Sequence, residues 1–195
     1  MTDAEPNSRS ERARVAILAA AVEECVALGY ERTSVEGIAR RSRSGKQTIY
    51  RRWPSKAAVL LDALVESLGD TADFPDTGDL VADLRNQMHG VVRFFNDARL
   101  SAVYRALIAA GQSDAGELRA MLDRLVEPRR AQALELLRRA QQNGKLAADI
   151  EASMLLDLLY APLYYRLLIT QEALTDDVAD SVVDLVLVRM AGARP

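Results

Sequence analysis

Lys46, Gln47 and Thr48 stand in a row directly after the turn Ser42-Arg43-Ser44-Gly45, with Tyr50, Arg51 and Lys56 close behind. This is the chemistry of a surface that reads DNA. A glutamine amide can bond an adenine in bidentate fashion, a lysine can take a guanine edge or a phosphate, and a threonine can touch a thymine methyl or a phosphate. Phosphate contacts fix register without reading sequence, and Tyr50 and Lys56 suit that task. Arg51 and Arg52 can also meet phosphate, although arginines on solvated helix faces are common. Thr33, at the start of the preceding helix, adds backbone amides of the kind that bind a phosphate. The charge agrees: residues 31–56 carry eight basic side chains against Glu31 and Glu36, a net +6 in a chain whose formal net charge is −3. The remaining residues therefore sum to −9, and a short basic helical segment on an acidic body is the expected footprint of a DNA-reading head on a separate regulatory body.

No other constellation competes with it. The single His89 and single Cys25 cannot build a zinc site or a disulfide framework, and one cysteine fits a reducing cytosol. There is no glycine-rich phosphate loop, metal-ligand cluster or nucleophile motif, so neither an enzyme nor a cofactor is expected. Residues 1–12 are polar and lack the apolar core of a signal peptide. No uninterrupted apolar run approaches a membrane span. A soluble, cytoplasmic protein with no membrane partner is expected.

The elements that must hold the basic row are helices. Apolar residues make up 49% of the 195, alanine, leucine and arginine dominate, and glycine and proline are few, which favours an all-α protein. Ser8 and Glu11 have capping-box spacing, and a first helix then runs to about Leu28. Ile17, Ala21, Cys25 and Leu28 share its apolar face, which makes Cys25 a small core residue, and Gly29 ends it. Thr33 and Glu36 form a second capping box for a helix that buries Val35, Ile38 and Ala39 and stops near Ser42. A short helix follows through about Arg52, with Ile49 and Trp53 in the core. Pro54 breaks the chain, and Ser55 can cap a fourth helix carrying Ala58, Leu61 and Val65 or Leu68.

Gly69 to Gly78 reads as a polar linker. Beyond it come a helix over Asp79–Asn96 (Leu80, Leu84, Met88 or Gln87, Val91, Phe95) and another over Arg99–Ala110 with Val103, Leu107 and Ile108. A long segment over Glu117–Gln142 is expected to kink or restart at Pro128, which cannot donate to the Arg124 carbonyl. Asp149 can cap the next helix, which runs to about Thr170 with Pro162 inside it, and the last helix spans Thr175–Met190.

Gly29-Tyr30, Thr33-Ser34-Val35, Ile38-Ala39, Lys46, Thr48-Ile49-Tyr50 and Trp53-Pro54-Ser55-Lys56 resemble, in order and spacing, the TetR/AcrR family of bacterial transcription regulators. The match covers roughly residues 10–65 and is softer over the last hundred. The resemblance implies an N-terminal helix-turn-helix head over 1–68 (the motif about 33–52), a helical ligand-binding and dimerisation body over 79–195, about nine helices, and a homodimer. It also implies backbone-clamping roles for Tyr50 and Lys56. One departure stands in the turn, usually Ala-Gly-Val-Ser. Here Arg43 takes the position where the backbone often needs positive φ, and Gly45 replaces the N-cap serine of the recognition helix, so Ser44 is the remaining capping candidate.

In the body, Val182 to Val188 is apolar nearly all round its helix, and such a helix must be covered on every side. Leu155, Leu159 and Leu163 with Val182, Val186 and Met190 are the expected dimer face, two helices from each chain forming a four-helix bundle; the alternative is a purely intrachain core. His89, Phe94, Tyr104, Met121, Tyr160 and Tyr164, with Tyr165, are candidates for a pocket holding an unidentified small-molecule effector, each also at home in a core. Arg105 and Arg166 can hold an anionic ligand or pair with a nearby carboxylate. The expected function is a ligand-responsive homodimeric repressor on a pseudo-palindromic double-stranded DNA operator. An activator of the same fold, or an interaction protein with a degenerate head, is the alternative.

Overall fold

The computed structural model describes residues 9–69, 75–146 and 148–191, with no side-chain description for Arg9 or for 188–191. Ser8 of the first capping box and the Met190 side chain lie outside them. Among the described residues the chain is helical, without a strand: α1 (Arg9–Leu28), α2 (Val35–Ser42), α3 (Lys46–Tyr50), α4 (Lys56–Leu68), α5 (Leu80–Asn96), α6 (Ala98–Gly111), α7 (Ala115–Met121), α8 (Glu127–Gln142), α9 (Ala152–Tyr165) and α10 (Asp176–Ala191). A π-helical turn at Leu122–Val126 joins α7 to α8, and a second at Arg166–Thr170 extends α9. The first lies just ahead of Pro128. A ring nitrogen that cannot donate is accommodated there by a widened turn rather than a break.

Two compact units emerge. One holds residues up to 67 together with 99–125; the other holds 68–98 together with 126 onward. In this packing α6 and α7 cluster with the first four helices. Linker composition marks where the chain is polar, not which partner an amphipathic helix will choose.

In the first unit α1 packs on α2, and α2 on α3. Ile17, Ala21, Cys25, Val35, Ile38, Ile49, Leu60 and Leu64 are buried there, whereas Leu28, expected on the buried face, is exposed. Trp53 is 2% exposed and its indole N–H donates to Asp62 Oδ2 at 2.6 Å. Arg124, on the π turn, pairs with the same carboxylate.

In the second unit α5 and α9 pack on α10, and α8 packs on α9. Asp79 caps α5, accepting from the amides of Val81 and Ala82 at 3.1 Å. α9 starts at Ala152 with Glu151, not Asp149, at the cap position. The continuous segment Ala152–Thr170 is 19 residues long with a mean hydropathy of 1.2. By length and composition it is apolar enough to cross a membrane, although Asp157 and Arg166 interrupt it. In this fold its inner side carries Leu155, Leu159, Leu163 and Leu167, all buried.

Candidate nucleic-acid interface

The turn before α3 decides how the basic row is presented. Arg43 takes the left-handed conformation expected of it, φ 53° and ψ 35°, as the C-cap of α2. The Ser44 amide then bonds back to Ala39 O at 3.0 Å, closing the last turn of α2 in the manner of a Schellman cap. Ser44 does not cap α3. Its hydroxyl donates to Ser42 O at 3.4 Å, and Gly45, extended at φ −71° and ψ 140°, occupies the cap position without a side chain. The first amides of α3 are left without a capping side chain, on the face that carries the basic row.

α3 displays its polar side fully. Gly45, Lys46, Gln47, Tyr50 and Arg51 are exposed, Arg43 beside them is exposed too, and Ser44 and Thr48 are half-buried. Ile49, wholly buried, anchors the opposite face. The side chains of Arg43, Gln47 and Arg51 make no ion pair or hydrogen bond among the described residues, so they are available to another molecule. Lys46 is partly engaged: Nζ lies 2.9 Å from Glu36 Oε1, and that hydrogen bond holds the Glu36 carboxyl below its usual range.

Two expected contacts turn inward instead. Thr33 is buried at 3% exposure; its hydroxyl donates to Gly29 O at 2.8 Å, and its amide reaches the Gly29 and Tyr30 carbonyls at 3.1 Å. Ser34 caps α2 in its place, accepting from the Gly37 amide at 3.0 Å. Two adjacent hydroxyl residues compete for the cap, and Ser34, with extended backbone at φ −139° and ψ 153°, takes it. Lys56 likewise bends back. Its ammonium donates to Tyr30 O at 2.6 Å and Glu31 O at 3.3 Å and sits 4.3 Å from the Tyr30 ring centroid. A cation placed over an aromatic face and on two carbonyls is a structural clamp on the α1–α2 connection. Tyr30 in turn donates to Glu117 Oε2 at 2.7 Å, and burial together with that carboxylate pushes its phenol up.

The basic surplus is also partly spent internally. Glu24, 3% exposed, accepts from Arg41 Nε at 3.1 Å and lies 3.9 Å from Arg40, while Arg52 lies 4.0 Å from Glu11. A glutamate on a polar-looking helix face carries no sign of burial in the sequence; Gly37, opposite it, leaves room for the carboxylate.

The pocket candidates fall in both units. Tyr104 and Met121 are buried in the first unit. His89, Phe94, Tyr160 and Tyr164 belong to the second. His89 ties α5 to α10: Nε2 is 2.8 Å from Asp180 Oδ1, and Arg85 joins the same cluster at 3.6 Å, also reaching Asp184 at 2.6 Å. Phe94 and Phe95 lie 5.7 Å apart, Phe95 and Tyr164 5.5 Å edge-on, and Tyr160 and Tyr164 6.5 Å. Arg166 pairs with Glu172 at 3.4 Å and Arg105 is exposed.

Nor do the expected dimer residues face outward. Leu155, Leu159, Leu163, Val182 and Val186 are all buried within the second unit. Helical phase places them on the inner side of α9 and α10. The outward apolar residues are Met154, Leu158, Tyr165 and Ile169, on one face of α9 and its extension, and Leu185 of α10.

Residues 17–63 match the family model described as bacterial regulatory proteins, tetR family, and residues 74–186 match the tetracyclin repressor-like C-terminal domain. The HTH-type transcriptional regulator YdeS of Bacillus subtilis (strain 168), itself uncharacterised, is 37% identical over 187 residues, covering 95% of this chain and 92% of that one. The DNA-binding transcriptional repressor TetR of Mycobacteroides abscessus is 33% identical over 193 residues, 96% of this chain and 99% of that one. The crystal structure of the TetR family transcription regulator SCO0332 superposes with a TM-score of 0.74 at 34% identity, over 94% of this chain and 100% of that one.

Proposed function

Because the chain belongs to the TetR family of bacterial regulators and is a DNA-binding transcriptional regulator, we propose that it acts as a homodimeric repressor released by a small molecule. The observation that carries this reading is α3, a short helix anchored by Ile49 that leaves Gln47, Lys46, Tyr50 and Arg51 exposed together beside Arg43. Its N-terminal residues enter the major groove and Gln47 reads an adenine. Arg43, Tyr50 and Arg51 meet phosphate, and Lys46 exchanges Glu36 for DNA.

The dimer forms through Met154, Leu158, Tyr165, Ile169 and Leu185. Exposed apolar residues on a regulator mark a contact surface, and a two-fold dimer asks for a pseudo-palindromic operator. An effector releases DNA only to the extent that it binds the released state more tightly than the operator-bound one. The relatives are transcriptional regulators, which supports a non-enzymatic protein working in the cytoplasm where its DNA lies.

Selection of bound duplexes from a random pool, with the native protein and with Gln47→Ala, tests the reading. The native protein enriches an inverted repeat. Gln47→Ala loosens preference at one position of each half-site, costing about 1–3 kcal/mol there. Absence of enrichment by folded protein would overturn the operator-binding role, and equal weakening on every sequence would remove Gln47 as a base reader.

A further inference from the structure

Among the described residues of the second unit, Gln87 is an uncharged polar side chain that burial strands. It lies on α5 in phase with Leu80, Leu84 and Val91, is 1% exposed, and neither its Oε1 nor its Nε2 meets a partner at ordinary hydrogen-bond geometry, the Tyr160 phenol being its one weak polar neighbour. A buried amide with both polar atoms unmatched is destabilising, and an apolar residue at that position would avoid the penalty. Something other than stability of the free protein must use it.

Its surroundings indicate what. The amide lies beside Tyr160, whose phenol is pushed up by burial and by Tyr164, and pulled part of the way back by Gln87 and the Arg129 guanidinium. Tyr160 continues through Tyr164 to Phe95 and Phe94 as a string of rings at tilted or edge-on angles. Aromatic clusters of this kind accept a further planar ring in the same offset or edge-on manner. Small-molecule sites are typically apolar with a few placed polar groups.

We propose that Gln87 anchors an effector site in the second unit, and that its ligand is a planar aromatic molecule carrying a carboxamide or lactam edge. An amide side chain presents a donor and an acceptor side by side. Only a partner that offers an acceptor beside a donor satisfies both, whereas a carboxylate offers acceptors alone and leaves Oε1 stranded. The word effector rests on the regulator reading above; the stranded amide and its aromatic neighbours do not.

Benzamide and isoquinolone serve as probes, with benzoate and N,N-dimethylbenzamide as matched compounds lacking the paired edge. Binding to the full chain is followed by calorimetric titration and thermal melting, for the native protein and for Gln87→Leu and Gln87→Met. The native protein is expected to bind the first pair about ten- to a hundredfold more tightly than the second, the worth of two hydrogen bonds. Both variants should treat all four compounds alike while melting, ligand-free, no lower than the native protein. The proposal is overturned if neither amide binds, if the native protein does not discriminate, if the variants discriminate as it does, or if both variants melt lower, which would make Gln87 a structural core residue. Operator binding by the same samples separates the two readings. Operator binding without amide discrimination overturns the effector chemistry alone; amide discrimination without operator binding overturns the regulator role alone.

Discussion

Single residues in the head divide into those that reach out and those that hold it together, and Lys56 shows why type alone does not decide. Its ammonium is committed to the carbonyls of Tyr30 and Glu31. Lys56→Met is therefore expected to lower stability by about 1–2 kcal/mol in urea unfolding, while the salt dependence of operator binding keeps its slope. A slope flattened by about one unit would return Lys56 to the phosphate contacts. Gly37 makes a complementary case. A Cβ there would collide with the carboxylate of Glu24, which is buried and tied to Arg41. Gly37→Ala should cost about 1–3 kcal/mol, and an unchanged urea midpoint would mean that Glu24 can move aside freely. The exposed row of α3 was legible in the sequence because charge and amide chemistry announce themselves. Thr33, Lys56 and Glu24 were not, because their roles depend on where a backbone carbonyl or a neighbouring helix comes to lie.

Helix ends carry their own arithmetic. Gly29 closing α1 and Ser55 accepting from the Ala58 amide follow from local residue types and were readable as such. The caps that went astray, Ser34 for Thr33 and Glu151 for Asp149, lie where neighbouring residues could serve and the tertiary path chose between them. Arg43 is the informative end. A non-glycine residue in the left-handed region is strained by roughly 1 kcal/mol, yet the side chain it brings is an exposed cation beside α3. Arg43→Gly should raise the melting temperature, worth about 0.5–1 kcal/mol, and at the same time weaken binding to every DNA sequence alike. Opposite signs in the two measurements are the expected signature; a loss of both would mean that the arginine side chain stabilises the turn.

At the level of the whole molecule, periodicity identified apolar helices correctly but not which side of them looks outward. Leu155, Leu159 and Leu163 went to the interior, and Met154, Leu158 and Tyr165 of the same helix did not. A helix that is apolar nearly all round gives sequence reasoning no polar side to orient it. Leu185, 70% exposed, is the sharpest probe of the proposed dimer. Leu185→Glu should leave the monomer folded and weaken the dimer by on the order of 3 kcal/mol, since each dimer loses two apolar contacts and gains two charges. Sedimentation at micromolar protein reads the outcome, and an unshifted dimer would place the interface elsewhere.

The chain contains one tryptophan, Trp53, and its indole lies enclosed in the first unit with its N–H on Asp62. Intrinsic fluorescence excited at the red edge of protein absorption therefore comes from that unit alone. Emission begins in the blue and moves to longer wavelength when water reaches the ring. Circular dichroism, by contrast, sums every helix. Recorded together during a denaturant titration, the two signals make the chain its own two-channel instrument. Coincident transitions mean that both units unfold as one cooperative block, and a separated tryptophan transition means that the first unit melts on its own terms.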